Sequence, residues 1–89
     1  MPQWEIIVFG RVQGVGFRYH VKRSADLTGT KGFVKNLFDG TVYILAEAED
    51  SAFNSFCQLV EKGNSFSRVS KLSIEKMDNA QEYNDFEIR

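Results

Sequence analysis

Apolar positions along this chain keep two rhythms that alternate. From Trp4 to Val12 the spacing is two: Trp4, Ile6 and Val8 share one face, and Ile7 and Phe9 share the other. Apolar residues on both faces predict an internal strand. From Phe17 to Thr28 the spacing becomes four, with Phe17, Val21 and Ala25 as the stripe of an amphipathic helix. Gly29 stands where a left-handed residue would end that helix. The spacing returns to two over Thr30–Phe38, with Val34, Asn36 and Phe38 on one face and Phe33, Lys35 and Leu37 on the other. Thr41–Glu47 continues it through Val42, Ile44 and Ala46, and the intervening Asp39-Gly40 is a hairpin signal. Phe53, Phe56, Cys57 and Val60 then fall at i, i+3, i+4 and i+7 of a second helix. Asp50 or Ser51 is its expected cap, and Gly63 its end. A loop over Asn64–Ser67 leads to a strand over Val69–Lys76, with Leu72 and Ile74 on one face. Asp78–Gln81 should turn, and Tyr83–Ile88 should form a short last strand.

This order predicts an α+β, ferredoxin-like split βαβ fold: βαββαβ plus a short last strand. Right-handed crossovers put both helices on one face of a mostly antiparallel sheet. Such a fold hosts many activities, so function has to be argued from a site.

Composition narrows the classes. Eighty-nine residues predict one domain over 1–89, with 43% hydrophobic residues and eight Phe to fill one core. The formal charge is −1, so no basic excess exists to hold a polyanion through counterion release, and no nucleic-acid partner is expected. A lone cysteine excludes an internal disulfide. No charged segment precedes a long apolar run, as a signal peptide would require. The apolar runs also fall far short of the roughly 20 residues that span a bilayer. A cytoplasmic protein without a membrane partner, acting as a monomer, is the expectation.

Between the first strand and the first helix runs Gly10-Arg11-Val12-Gln13-Gly14-Val15-Gly16-Phe17-Arg18. Glycines there turn the backbone sharply and leave amides uncovered. The first amides of the helix have no intrahelical acceptor, and the helix dipole adds positive charge. An anion such as phosphate suits that place, and Arg18 adds a planar cationic fork for two of its oxygens. The plainer alternative is an ordinary turn with Arg18 directed to solvent. Asn36 offers one acceptor and two donors and can hold a water near such an anion. Equally, it can be an ordinary strand asparagine.

The nonapeptide resembles the phosphate-binding signature of the acylphosphatases, standing as Gly10-x-Val12-Gln13-Gly14-Val15-x-Phe17-Arg18. Gly32-x-Val34-x-Asn36-x-x-Asp39-Gly40-x-Val42 is similar to that family's second signature, and Tyr83-x-x-Phe86-x-Ile88 to its closing strand. The resemblance implies hydrolysis of acyl phosphates to a carboxylate and inorganic phosphate by direct water attack, without a covalent intermediate. It assigns amide donors at Val15, Gly16, Phe17 and Arg18, and catalytic roles to Arg18 and Asn36. One departure stands outside the motifs. Many relatives have Gly-Pro after the second helix where this chain has Gly63-Asn64, a change expected to touch a loop and not the site.

The chemistry of that reaction suits a site with few parts. No Walker-type loop, metal-ligand spacing or activated nucleophile is visible, so no cofactor is expected. Hydrolysis of a phosphate ester usually demands a general acid, a nucleophile or a metal site, and none of these is visible. The carboxylate leaving group of an acyl phosphate has a pKa of about 4 and departs without a proton. Holding the phosphoryl oxygens and aiming a water is then enough. His20, two residues past Arg18, reads as a surface or partly packed side chain, and Cys57 as a small core hydrophobe. Lys31-Gly32-Phe33 opens like the RNP1 motif of RNA-binding domains, with Phe38 at its last position. Val34, Lys35 and Asn36 break that motif, which leaves a non-catalytic RNA- or anion-binding module as the alternative. Acylphosphatase-like domains also occur inside a carbamoyl transferase; a chain ending at its last strand favours the free-standing enzyme.

Overall fold

A five-stranded sheet carries both helices in the computed structural model, which describes residues 1–78 and 81–89. The elements follow the expected order: β1 (Gln3–Arg11), α1 (Phe17–Thr28), β2 (Lys31–Asn36), β3 (Val42–Glu47), α2 (Asp50–Lys62), β4 (Arg68–Met77) and β5 (Phe86–Ile88). β1 pairs antiparallel with β3 and β4, β2 pairs antiparallel with β3, and β5 joins β2 in parallel. β1 is therefore internal, as apolar residues on both its faces require.

One face of the sheet makes the core. Trp4, Ile6 and Val8 of β1, Val34 of β2 and Val42, Ile44 and Ala46 of β3 are all buried there. They meet Phe17, Val21 and Ala25 of α1 and Phe53, Phe56 and Val60 of α2. Both helical stripes are those the spacing predicts, and Trp4 stacks on Phe53 at 3.8 Å between ring centroids. Burying a side chain such as Phe56 fully contributes roughly 1.5–3 kcal/mol.

Several boundaries differ from the sequence reading. β2 stops at Asn36, and Phe38 lies fully exposed in the turn, away from Val34. The turn itself explains this: Leu37 N–H donates to the Thr41 carbonyl, and Gly40 N–H donates back to Leu37. The last strand begins at Phe86 rather than Tyr83. Glu49, in extended conformation, precedes α2, and no side chain caps it, neither Asp50 nor Ser51. Ile74 of the edge strand β4 stays 46% exposed. Of the turn expected over Asp78–Gln81, residues 79 and 80 lie outside the described residues.

Candidate active site

β1 hands the chain to the loop through a bulge between Phe9 and Gly10. Gly10 has φ +126°, and a Cβ there would collide with the Arg68 carbonyl of β4, so only glycine fits. The loop closes at Gly16, which takes the left-handed conformation (φ 76°, ψ 15°) directly before α1. Gly16 supplies no capping side chain, and the first turn of α1 holds no acidic residue. The first backbone bond of the helix runs from His20 N–H to the Gly16 carbonyl at 3.2 Å. The amides of Phe17, Arg18 and Tyr19 therefore have no acceptor in the helix, and its positive end is uncompensated.

A cavity of about 140 Å3 opens over this helix end, lined by Val12, Gly14, Gly16, Phe17, Arg18, Tyr19 and Asn36. Four of the expected site residues, Gly16, Phe17, Arg18 and Asn36, thus meet around one space. Val15 is not on its wall. Asn36 arrives from the exposed end of β2, where it pairs with Val42 of β3. Among the described residues its amide has no hydrogen-bond partner. Asn36 also lines a second, larger cavity of about 460 Å3, together with Gln13, Lys35, Leu37 and Phe38.

Three long-range contacts hold these parts together. Arg18 Nη1 donates to the main-chain oxygen of Arg89 at 2.9 Å. Arg89 is itself placed by its N–H bond to the Val34 carbonyl at 2.8 Å and by its guanidinium 4.0 Å over the Phe33 ring. Gln13 Nε2 donates to the carbonyls of Leu37 and Thr41, both at 2.8 Å, and so ties the loop to the hairpin that carries Asn36. Asn64 Nδ2 donates to the Val15 carbonyl at 2.8 Å. This corrects the expectation that Asn64 affects a loop alone: it reaches the glycine-rich loop directly. The C=O and N–H of a trans peptide point in opposite directions, so holding the Val15 carbonyl toward Asn64 turns the Gly16 amide away from it. Sequence reasoning missed all three braces. Gln13 was visible as a motif position, but Asn64 and Arg89 carried no local signal.

His20, Cys57, Asp39 and Tyr43 stay outside the cavity. His20 Nε2 donates to the Leu59 carbonyl at 2.7 Å, joining α1 to α2 as a packed histidine would. Burial, with Glu61 nearby, pushes the Cys57 thiol up to about 11, so it stays protonated and inert at neutral pH. Asp39 accepts from the Thr41 hydroxyl at 2.5 Å and the Thr41 N–H at 3.0 Å, which lowers its carboxyl below the ordinary value and stiffens the turn. Burial raises the Tyr43 hydroxyl, and the neighbouring Glu5 carboxylate adds to the rise. Among the described residues no three His, Cys, Asp or Glu side chains come together as a ligand set, and no helix is long and apolar enough to cross a membrane.

The same fold recurs in proteins of known type. The family model for acylphosphatase matches residues 4–88. An acylphosphatase of Bacillus subtilis is 46% identical over 88 residues, covering 99% of this chain and 97% of its own. The crystal structure of acylphosphatase from Bacillus subtilis superposes with a TM-score of 0.96 at 45% identity, covering 100% of this chain and 99% of the other. Full-length HypF, in its phosphate- and nucleotide-bound form, contains a similar unit with a TM-score of 0.86 at 30% identity. That match covers 99% of this chain but 12% of HypF. A helix end left open to an anion, an arginine and an asparagine around one cavity, and relatives matched along nearly their full length lead to one conclusion: the chain belongs to the acylphosphatase family and is a hydrolase acting on acyl phosphates.

Proposed function

We propose that Arg18 and the amides of Val15, Gly16, Phe17 and Arg18 hold the phosphoryl group while Asn36 orients the water that attacks phosphorus. The observation that carries this reading is the shared cavity, in which Arg18 and Asn36 face the same uncapped helix end. Arg18 brings a full positive charge and a planar fork matched to two phosphoryl oxygens. The helix amides add preorganised donors that need no rearrangement as charge develops. Asn36 is neutral and contributes little to binding an anion, but its amide can accept a hydrogen from a water and fix its direction. In-line attack expels the carboxylate, which leaves unprotonated, and inorganic phosphate is the second product.

The whole chain is taken to act as one domain and a monomer on a small acyl phosphate, in the cytoplasm, where its lone thiol meets no oxidising partner. The reading uses no metal, and activity should survive EDTA. Lys31-Gly32-Phe33, the start of the RNA-binding alternative, lies on β2 between β3 and β5, and no observation favours that alternative.

Hydrolysis of benzoyl phosphate beside p-nitrophenyl phosphate tests the mechanism. The acyl phosphate should be turned over and the aryl ester left almost untouched, because no carboxyl, imidazole or thiol lines the cavity to protonate a poor leaving oxygen. Comparable rates on both would overturn it.

A further inference from the structure

The phosphoryl cavity lies between two others, and in-line chemistry discriminates between them. Toward β2 it shares Asn36 with the cavity of Gln13, Lys35, Leu37 and Phe38. Toward α1 it shares Gly16 and Tyr19 with a cavity of about 240 Å3 that adds His20, Arg23 and Asn64. The two outer cavities have no lining residue in common. Attacking water and leaving group occupy opposite sides of phosphorus. With Asn36 holding the water, the acyl group must leave on the side away from Asn36, although the larger and more apolar space lies toward it.

We propose that the acyl part of the substrate lies in the cavity beyond Gly16 and Tyr19, where Arg23 recognises a second anionic group carried on the acyl chain. This rests on the assignment of the water to Asn36. Tyr19 and Arg23 are one helical turn apart, about 6 Å along the axis, so they border the same face of α1. Tyr19 is 73% exposed and offers its ring to the carbon skeleton. Arg23 is exposed and makes no ion pair among the described residues. Its guanidinium fork suits a carboxylate or a second phosphate. No acidic residue lines this cavity. Its walls are held in place: His20 is anchored on Leu59, and Asn64 on Val15. The substrate class is therefore an acyl phosphate with a second negative charge a short carbon skeleton away.

The experiment compares 4-carboxybenzoyl phosphate with benzoyl phosphate, which differ only in the distal charge. The readout is the ratio of their kcat/KM values. The ratio should favour the carboxylated substrate and fall about fivefold in Arg23→Gln, the scale of one exposed ion pair. In Arg23→Glu it should fall further, and added salt should weaken the preference. Arg23 is exposed, so both variants should fold. An unchanged ratio in Arg23→Gln, or a ratio that responds to Lys35→Gln instead, overturns the proposal. Asn36→Ala on benzoyl phosphate separates the two levels. If it loses turnover while Arg23→Gln leaves the ratio unchanged, only the acyl subsite fails. If it keeps turnover, the assignment of the water fails first.

Discussion

The two helices begin in opposite ways. α2 starts after extended Glu49 and carries Asp50 in its first turn, so a carboxylate of its own offsets the positive helix end. α1 starts from left-handed Gly16, with no capping side chain and no acid in its first turn. Both helices use an equally regular stripe to pack on the same sheet face. The difference lies only in who supplies the negative charge. In α2 the chain supplies it, and the helix end is structural. In α1 no acid of the chain supplies it, and the helix end is left open for the phosphoryl group of the proposed function. On that proposal, stability is given up at α1 so that phosphate finds donors already in place.

Removing the cation should break that comparison most completely. Arg18→Ala is expected to abolish turnover and also the rise in melting temperature caused by phosphate. For the parent protein that rise corresponds to about 2.7 kcal/mol at 100 times the dissociation constant. Asn36→Ala should separate the two effects. It should lose on the order of 10²–10³ in single-turnover rate yet keep most of the phosphate-induced stabilisation. Equal loss of phosphate binding in both variants would end the division of labour, once circular dichroism has shown each to be folded.

Making α1 resemble α2 comes next. Tyr19→Glu places an acid in the exposed first turn of α1. It should stabilise the unliganded protein by about 0.3–1 kcal/mol while weakening phosphate roughly tenfold. The two signs must be opposite. A variant that melts higher and binds phosphate normally would show that the helix end is not where the anion sits.

Loosening the loop should cost less. Asn64→Ala removes the bond to the Val15 carbonyl, and the phosphate dissociation constant should rise about threefold to tenfold, the scale of one net hydrogen bond. Asn64 Oδ1 is a buried acceptor with no hydrogen-bond partner among the described residues, so discarding the amide also removes an unmet desolvation cost. The melting temperature without ligand should accordingly move little. A large drop in that melting temperature with unchanged phosphate affinity would make Asn64 a structural residue alone.

The smallest effect belongs to the structural helix end. Asp50→Asn should cost about 0.3–1 kcal/mol, a fall of a few degrees in melting temperature, and leave kcat and KM alone. A change in KM would mean that α2 communicates with the site.

Sequence alone determined whatever depends on near neighbours along the chain. The stripes of α1 and α2, the succession of strands and helices along the chain, the glycine that opens α1 and the Asp39-Gly40 turn are all local, because period and backbone conformation are set within a few residues. Arg18 and Asn36 were legible for the same reason, each lying inside a motif. The tertiary structure alone decided what stands next to what. The links from Gln13 to Leu37 and Thr41, from Asn64 to Val15 and from Arg18 to Arg89 span 24 to 71 residues and leave no mark on any local pattern. Phe38 shows the same limit from the other side: its spacing continues β2, but the hairpin bonds of Leu37 end the strand at Asn36 and turn its ring into solvent. A hydrogen bond between distant residues exists only once the sheet has fixed their separation, and the architecture of this site consists largely of such bonds.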